Sequence, residues 1–287
     1  MRMNKKQQGF TLIELMIALV LSLLITYGIA QVLISSNQSS SSSDGVSQAQ
    51  ETARFVMSFL GKQIRAAGLD SITDDGISTR AVIGCDIAAL NAINACPLES
   101  NAGATEANIT LTAANAAAGI ISGDRFAIAW VPPAGISTDC TGTSNAAFVD
   151  GTIIVNVFWV TFDDAANSNS LFCQGHFFDG TNVLATNAAQ AIANGVETLQ
   201  VLYGEADSGL PSDLERNISR YINADQVTDW ERVFGIKVSV MTRSISDVTN
   251  EISTKQFAIL DAGPFVFNDA VNRQIFTSTF AISNFVD

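Results

Sequence analysis

From Phe10 to Ile34 the chain runs for about 25 residues with one charged side chain, Glu14. As a helix this run is roughly 37 Å long, enough to cross a hydrocarbon core with some tilt. A carboxylate left at the centre of a bilayer costs on the order of 2.5 to 3.5 kcal/mol. Glu14 therefore calls for a partner. Arg2, Lys5 and Lys6 precede the run and little basic charge follows it. That asymmetry keeps the amino end on the cytoplasmic side and sends the remainder across the membrane. Two plainer readings compete. A secretory signal peptide has the basic start and a small-residue site at Gly28-Ile29-Ala30, but its apolar region spans only about 7 to 15 residues and rarely holds a charge. An ordinary signal anchor needs no Glu14.

The residues beyond the span are numerous enough for one sizeable domain with a real core. The chain is 47% hydrophobic and only 15% charged, with a formal net charge of −13. Removing the three basic residues of the leader would take it to about −16 by the same counting. So acidic a chain disfavours nucleic acid, whose phosphates need a positive face, and disfavours anionic lipid beyond the anchor itself. Cys85, Cys96, Cys140 and Cys173 agree with an oxidising compartment, and four cysteines allow three connectivities. Pairing Cys85 with Cys96 and Cys140 with Cys173 is favoured, because each closes a short local loop.

Past the span, residues 35–43 form a Ser/Gln/Asn tract of poor helix formers, and Asp44-Gly45 adds a breaker. Helical periodicity then returns through Val46, Ala49, Ala53, Val56, Leu60, Ile64 and Ala67, with Phe55 and Phe59 widening the stripe as core residues. Gly68 reads as a C-cap. Two readings stay open: one helix from Phe10 to about Ala67, or two helices hinged near Ser39 to Gly45, the second entered through a Ser47/Gln50 capping box. From Leu69 onward the signals are mostly β. Strands are expected at 108–112, 125–131, 153–162, 171–178, 197–203, 234–243, 256–260 and 276–282, joined by long surface connections, with a short helix at 214–222. Four segments result: leader 1–9, span 10–34, Ser-rich and amphipathic helix 35–68, and a β-rich domain at 69–287.

Gly9-Phe10-Thr11-Leu12-Ile13-Glu14-Leu15-Met16 resembles the processing motif of type IV prepilins, a group that includes pilins and type II secretion pseudopilins. The resemblance implies that a membrane-embedded prepilin peptidase cuts between Gly9 and Phe10 and methylates the new amine of Phe10. It also implies that Glu14 pairs with the amino terminus of a neighbouring subunit. An unpaired carboxylate among packed apolar helices would penalise a wrong axial register. Within the group, residues 195–204, Tyr221, Trp230, the strand 233–243, the closing Arg273 to Phe280 with Asn284, and the 50–55 and 64–68 stretches are similar to the PilW family of minor pilins.

That resemblance implies an α+β, pilin-like fold: a long N-terminal helix, membrane-spanning in its first half, packed on a mainly antiparallel sheet. It further implies a subunit of a tip or priming complex in type IV pilus biogenesis. Its partners would be other minor pilins and the major pilin, met through the N-terminal helix. The chain would be single-pass in a bacterial inner membrane, with its domain in the periplasm and, after assembly, in the pilus. A type II secretion minor pseudopilin and a tip-borne adhesin using residues 85–187 are the rivals.

No catalytic constellation is present in the sequence, which lacks GxSxG, GxxxxGK and GxGxxG. No enzyme activity and no cofactor are expected. The one histidine, His176, lies in an apolar strand pattern and reads as a hydrogen-bonded structural residue. No CxxC spacing supports a metal site. The acidic run Asp70, Asp74, Asp75 and Gly76 is a poor match to a calcium loop, and Asp163-Asp164 reads as a turn after a strand.

Overall fold

The computed structural model describes residues 10–68, 82–83, 122–133, 135–149, 151–178, 183–207, 217–245 and 252–282. One helix, α1, runs unbroken through Leu12–Ala66. The hinge near Ser39 to Gly45 is not formed, and Ser47 with Gln50 lies inside the helix rather than at a start. Each Ser costs only a fraction of a kcal/mol relative to Ala, whereas starting a second helix repeats the nucleation cost. Packing helps as well. Gly45 and Ala49 are buried, and the Thr242 hydroxyl donates to the Ala49 carbonyl at 2.8 Å. Asn272 grips Ser42 at 3.2 Å. The helix ends at the C-cap Ala67, not at Gly68. Gly68 is the next residue, with φ 76°, and its N–H reaches the Ala129 carbonyl at 2.9 Å.

Twelve strands follow among the described residues: β1 Val82–Ile83, β2 Phe126–Trp130, β3 Ile153–Asp163, β4 Ser168–Phe178, β5 Val183–Thr186, β6 Gln190–Asn194, β7 Val196–Ala206, β8 Ile218–Ile222, β9 Val233–Arg243, β10 Ser253–Ile259, β11 Ala262–Asp269 and β12 Arg273–Ala281. They form a sheet ordered β1-β2-β3-β4-β5 with β6 also paired to β4, a second sheet ordered β12-β9-β7-β8, and the hairpin β10-β11. All of these strand pairs are antiparallel. The fold is α+β and pilin-like: a long apolar N-terminal helix whose outer half packs on antiparallel sheet.

The core follows from strand alternation. On β3, Phe158 and Val160 face the main core with Leu60 and Ile64 of α1, Leu171 and Cys173 of β4, and Leu199, Val201, Val238 and Val240 of the second sheet. Val155, Val157 and Trp159 face the other way, into a smaller cluster with Ala127, Ala129 and Phe178. Both faces of β3 are thus buried, which is why its sequence is almost continuously apolar. The two sheets are stitched at Gly123, paired with Leu199 in an isolated parallel bridge. A Cβ there would sit 2.1 Å from the Leu199 carbonyl oxygen. The β10-β11 hairpin makes a third cluster, Phe265, Phe267 and Ile259 against Met241.

Several expectations are corrected. Residues 218–222 are strand, not helix: β8 pairs with β7, and Tyr221 lies over Gly204, where a Cβ would come within 3.0 Å of its ring. The glycine has no side chain to occupy that place, so an aromatic neighbour fills it. The turn expected at Asp163-Asp164 does join β3 to β4, with Asn167 at φ 49° and the Asp163 carboxylate accepting from the Ala165 N–H at 3.0 Å. β1, β5, β6, β8 and β11 are not among the expected strands; β6 is rich in Ala and Asn, and β11 contains Gly263-Pro264, all weak strand formers. Phe55 is 50% exposed and is not a core residue, because the buried stripe of α1 runs through Val56, Met57 and Leu60 instead. The 108–112 strand lies outside the described residues.

Gly61 sets how closely α1 approaches β12: a Cβ there would sit 2.6 Å from the ring of Phe280. Gly61→Ala is expected to destabilise the protein by about 1 to 3 kcal/mol through overpacking, seen as a lower melting temperature by circular dichroism. Pairing it with Phe280→Leu should recover most of the loss. Equal melting temperatures for Gly61→Ala and the parent would refute the close approach.

Candidate functional site

The span begins with a cap built from two sequence neighbours. Thr11 is the N-cap of α1, and its hydroxyl accepts from the Glu14 N–H at 3.4 Å. The Glu14 carboxylate reaches back and accepts from the Thr11 N–H at 3.0 Å and the Thr11 hydroxyl at 2.9 Å. This is a capping box, Thr-x-x-Glu, which satisfies backbone donors left free at a helix start. Glu14 thus has a task inside its own subunit that the sequence reading missed, although the Thr-x-x-Glu spacing signals it. Phe10 precedes the cap and is 91% exposed. Gly9 lies outside the described residues.

From Leu12 to Ile34 the large apolar side chains stand free of the domain, each more than half exposed. An 18-residue window of this helix has mean hydropathy 2.3 and is not buried at all. Two of its hydroxyls are bonded within the helix: Ser22 donates to the Leu19 carbonyl and Thr26 to the Ser22 carbonyl, both at 2.8 Å. Such a rod presents lipid, or other apolar helices, with few polar groups, Tyr27 and Gln31 among them.

In the domain, Cys140 and Cys173 form a disulfide with Cα atoms 6.4 Å apart. It fastens the 135–149 loop to β4 beside the outer end of α1. The Asn156 side chain joins the same corner, accepting from the Cys140 N–H and donating to the Gln63 side chain, both at 3.1 Å. Cys85, Cys96, Asp70, Asp74, Asp75 and Gly76 lie outside the described residues. His176 is buried, with Nδ1 2.9 Å from the Thr186 hydroxyl. Burial pushes its pKa down to about 4, against a smaller opposing pull from Asp139. No group of three or more metal-binding side chains occurs among the described residues.

Two buried glutamates of β7 were not singled out by sequence. Glu197 is the extra residue of a bulge between Val196 and Thr198, and a bulge re-aims its side chain. Arg273 grips it through Nε at 2.5 Å and Nη2 at 3.1 Å, and holds Asp269 at 2.7 Å and 2.8 Å. The Phe267 ring lies 3.6 Å from the guanidinium carbon. Arg243 approaches Glu197 at 3.6 Å. Hydrogen bonds from Arg273 hold the Asp269 carboxyl below the usual carboxylate range despite burial. Burial alone would lower the Arg273 pKa, but the bonds to Asp269 and Glu197 raise it. The set ties β7, β9 and β12 to the hairpin. Glu205, opposite irregularities in the paired strands β8 and β9, accepts from Arg220, from the Thr228 N–H and hydroxyl, and from the Asp229 N–H. Burial pushes its pKa up, yet these donors outweigh it and hold the group low.

Comparison with known proteins adds two family matches. Residues 4–26 match the prokaryotic N-terminal methylation motif, and residues 157–284 match the family described as type IV pilus-assembly protein W. No curated protein and no solved structure gives a match. A capped, exposed apolar helix under the methylation motif, carrying an antiparallel β domain, defines a type IV prepilin-like protein. Within that class the match over 157–284 supports a PilW-family protein. Together the two matches support a type IV pilus minor pilin that is membrane-anchored by its N-terminal helix, and family membership suggests other pilins and the prepilin peptidase as partners.

The buried charges generate two expectations. Arg273→Met strands Glu197 in the interior and should cost about 3 to 5 kcal/mol, whereas Arg243→Met, at a longer and more exposed pair, should cost under about 1 kcal/mol. Urea unfolding of the detergent-solubilised chain compares them, and equal losses would refute the assignment. Glu205 has a depressed pKa, so it contributes stability above the ordinary carboxylate range of about 4, and the contribution is lost as pH falls through the folded value. Glu205→Gln should therefore be clearly less stable than the parent at pH 7, with the gap closing below about pH 4. A gap independent of pH would contradict this.

Proposed function

We propose that the chain is a structural minor pilin that acts in a tip or priming complex with other minor pilins during type IV pilus biogenesis, and that it performs no catalysis. Prepilin peptidase cleaves between Gly9 and Phe10 and methylates the Phe10 amine. The domain resides in the periplasm before assembly and in the pilus afterwards. The observation that carries this reading is the Phe10 to Ile34 rod, strongly apolar with one charge and free of its own domain. Such a helix leaves lipid only for an equally apolar environment, which a bundle of like helices provides. The PilW-family match over the β domain supports a pilus rather than a secretion role.

Glu14 links processing to assembly. In the single chain it caps its own helix; in a bundle its charge meets the methylated amine of a neighbouring Phe10. The two tasks have different chemical needs. A cap at this position needs only an acceptor, which Gln also supplies, whereas pairing with an ammonium needs the charge.

Glu14→Ala and Glu14→Gln should both be processed, giving N-methyl-Phe10 by mass spectrometry. Both should also co-purify with other minor pilins at least about tenfold less than the parent, the factor matching about 1.4 kcal/mol. Full recovery in Glu14→Gln would assign the residue to capping alone. Normal pilus number in Glu14→Ala would refute the register role. A mature terminus near Gln31 would overturn the pilin reading altogether.

A further inference from the structure

The outer half of α1 carries a second surface that the assembly rod does not explain. Glu51, Arg54, Phe55, Ser58, Lys62 and Arg65 are all exposed and fall within about 120° of the helix circumference at 100° per residue. The sheets cover the opposite side through Ala53, Val56, Leu60 and Ile64. Three cations and one anion on this stripe stand out in a chain whose formal charge is −13. Neither Arg54 nor Lys62 pairs with a carboxylate among the described residues.

Phe55 sits at the edge of the stripe nearest Phe59 and is backed by other rings. Its ring stacks on Phe59 at 6.2 Å, Phe59 meets Phe158 edge-on at 6.1 Å, and Phe158 lies 5.1 Å from Phe126. The exposed ring is therefore the outer end of an aromatic ladder rooted in β3 and β2. A half-exposed aromatic ring backed by other rings beside cations has the make-up of an interface anchor, since less freedom remains to be lost on binding.

We propose that this stripe docks the acidic face of a neighbouring pilin-type subunit, with Phe55 as the apolar anchor and Arg54 and Lys62 meeting carboxylates. The inference rests on the assembly role of the rod. When two such rods run side by side in one membrane or one bundle, the neighbour's domain is brought to the level of this part of α1, so the stripe continues the rod's own interface. Charge complementarity selects an acidic partner. Anionic lipid is out of reach: Arg54 lies 20 residues beyond Ile34, about 30 Å along the helix, while ionic screening acts over about 8 to 10 Å.

The test places a photo-crosslinking phenylalanine at position 55 of the full chain, expressed in cells with the other pilus subunits. Crosslinks to a pilin-type subunit, mapped by mass spectrometry to an acid-rich stretch of its domain, are expected. Arg54→Glu with Lys62→Glu should cut that crosslink at least fivefold and reduce co-purification with the same subunit, leaving the melting temperature and N-methyl-Phe10 unchanged. Arg65 is left alone because it has other contacts within the subunit. Crosslinks to lipid, to a second copy of this chain, or undiminished by charge reversal would overturn the proposal. Because processing and the Glu14 variants are scored separately, the stripe can fail while the pilin reading stands. Loss of both would show as an unmethylated terminus.

Discussion

Every backbone donor and acceptor in the apolar half of α1 has to be satisfied within the helix, because neither lipid nor a bundle of apolar helices offers replacements. The capping box at Thr11 and Glu14 meets that constraint at the exposed end and the helix's own backbone bonds meet it along the shaft, where the Ser22 and Thr26 hydroxyls also bond to carbonyls of the helix. At the other end the domain takes over. From Ser42 onward α1 is gripped by Asn272, Thr242 and the main core. One continuous helix thus serves two solvents, and the β domain is built onto the half that is not meant for lipid.

The domain is fixed to that helix by close approach and by buried charge. Gly61 admits the Phe280 ring, and Gly123 admits the carbonyl of Leu199 where the two sheets meet. On β7, a bulge swings Glu197 toward donors from distant parts of the chain, and Glu205, opposite irregularities in the paired strands β8 and β9, meets another set. A buried carboxylate is costly unless fully bonded, so these two residues make the placement of β8, of β12 and of the hairpin interdependent. The disulfide at Cys140 and Cys173 adds a covalent tie at the corner where α1 ends.

Much of this was legible in the sequence. The span, the amphipathic stripe through Ala53, Val56, Leu60 and Ile64, and the strands at β2, β3, β4, β7, β9, β10 and β12 all carry strong periodicity or β-branched and aromatic content. The weak strands were not legible, since Gln190–Asn194 and Ile218–Ile222 are held by pairing and by packing over glycine rather than by propensity. Phe55 read as core because periodicity reports which side of a helix is apolar but not where burial stops. The span itself was evident, whereas the Thr11 cap needed only a look at the spacing.

By itself, the sequence determined that an apolar helix with one acid must live in lipid or among like helices, since that follows from length, hydropathy and charge alone. It also determined the methylation motif and the PilW-like blocks, which are local strings. Only the tertiary structure decided that the Ser-rich tract stays helical, because packing at Ala49 and Ser42 outweighs weak propensity. Only the tertiary structure brought Arg273 to Glu197 and Asp269, and turned Phe55 outward on a ladder of rings. Those outcomes depend on contacts between residues far apart in the chain, and no local pattern encodes where such residues will meet.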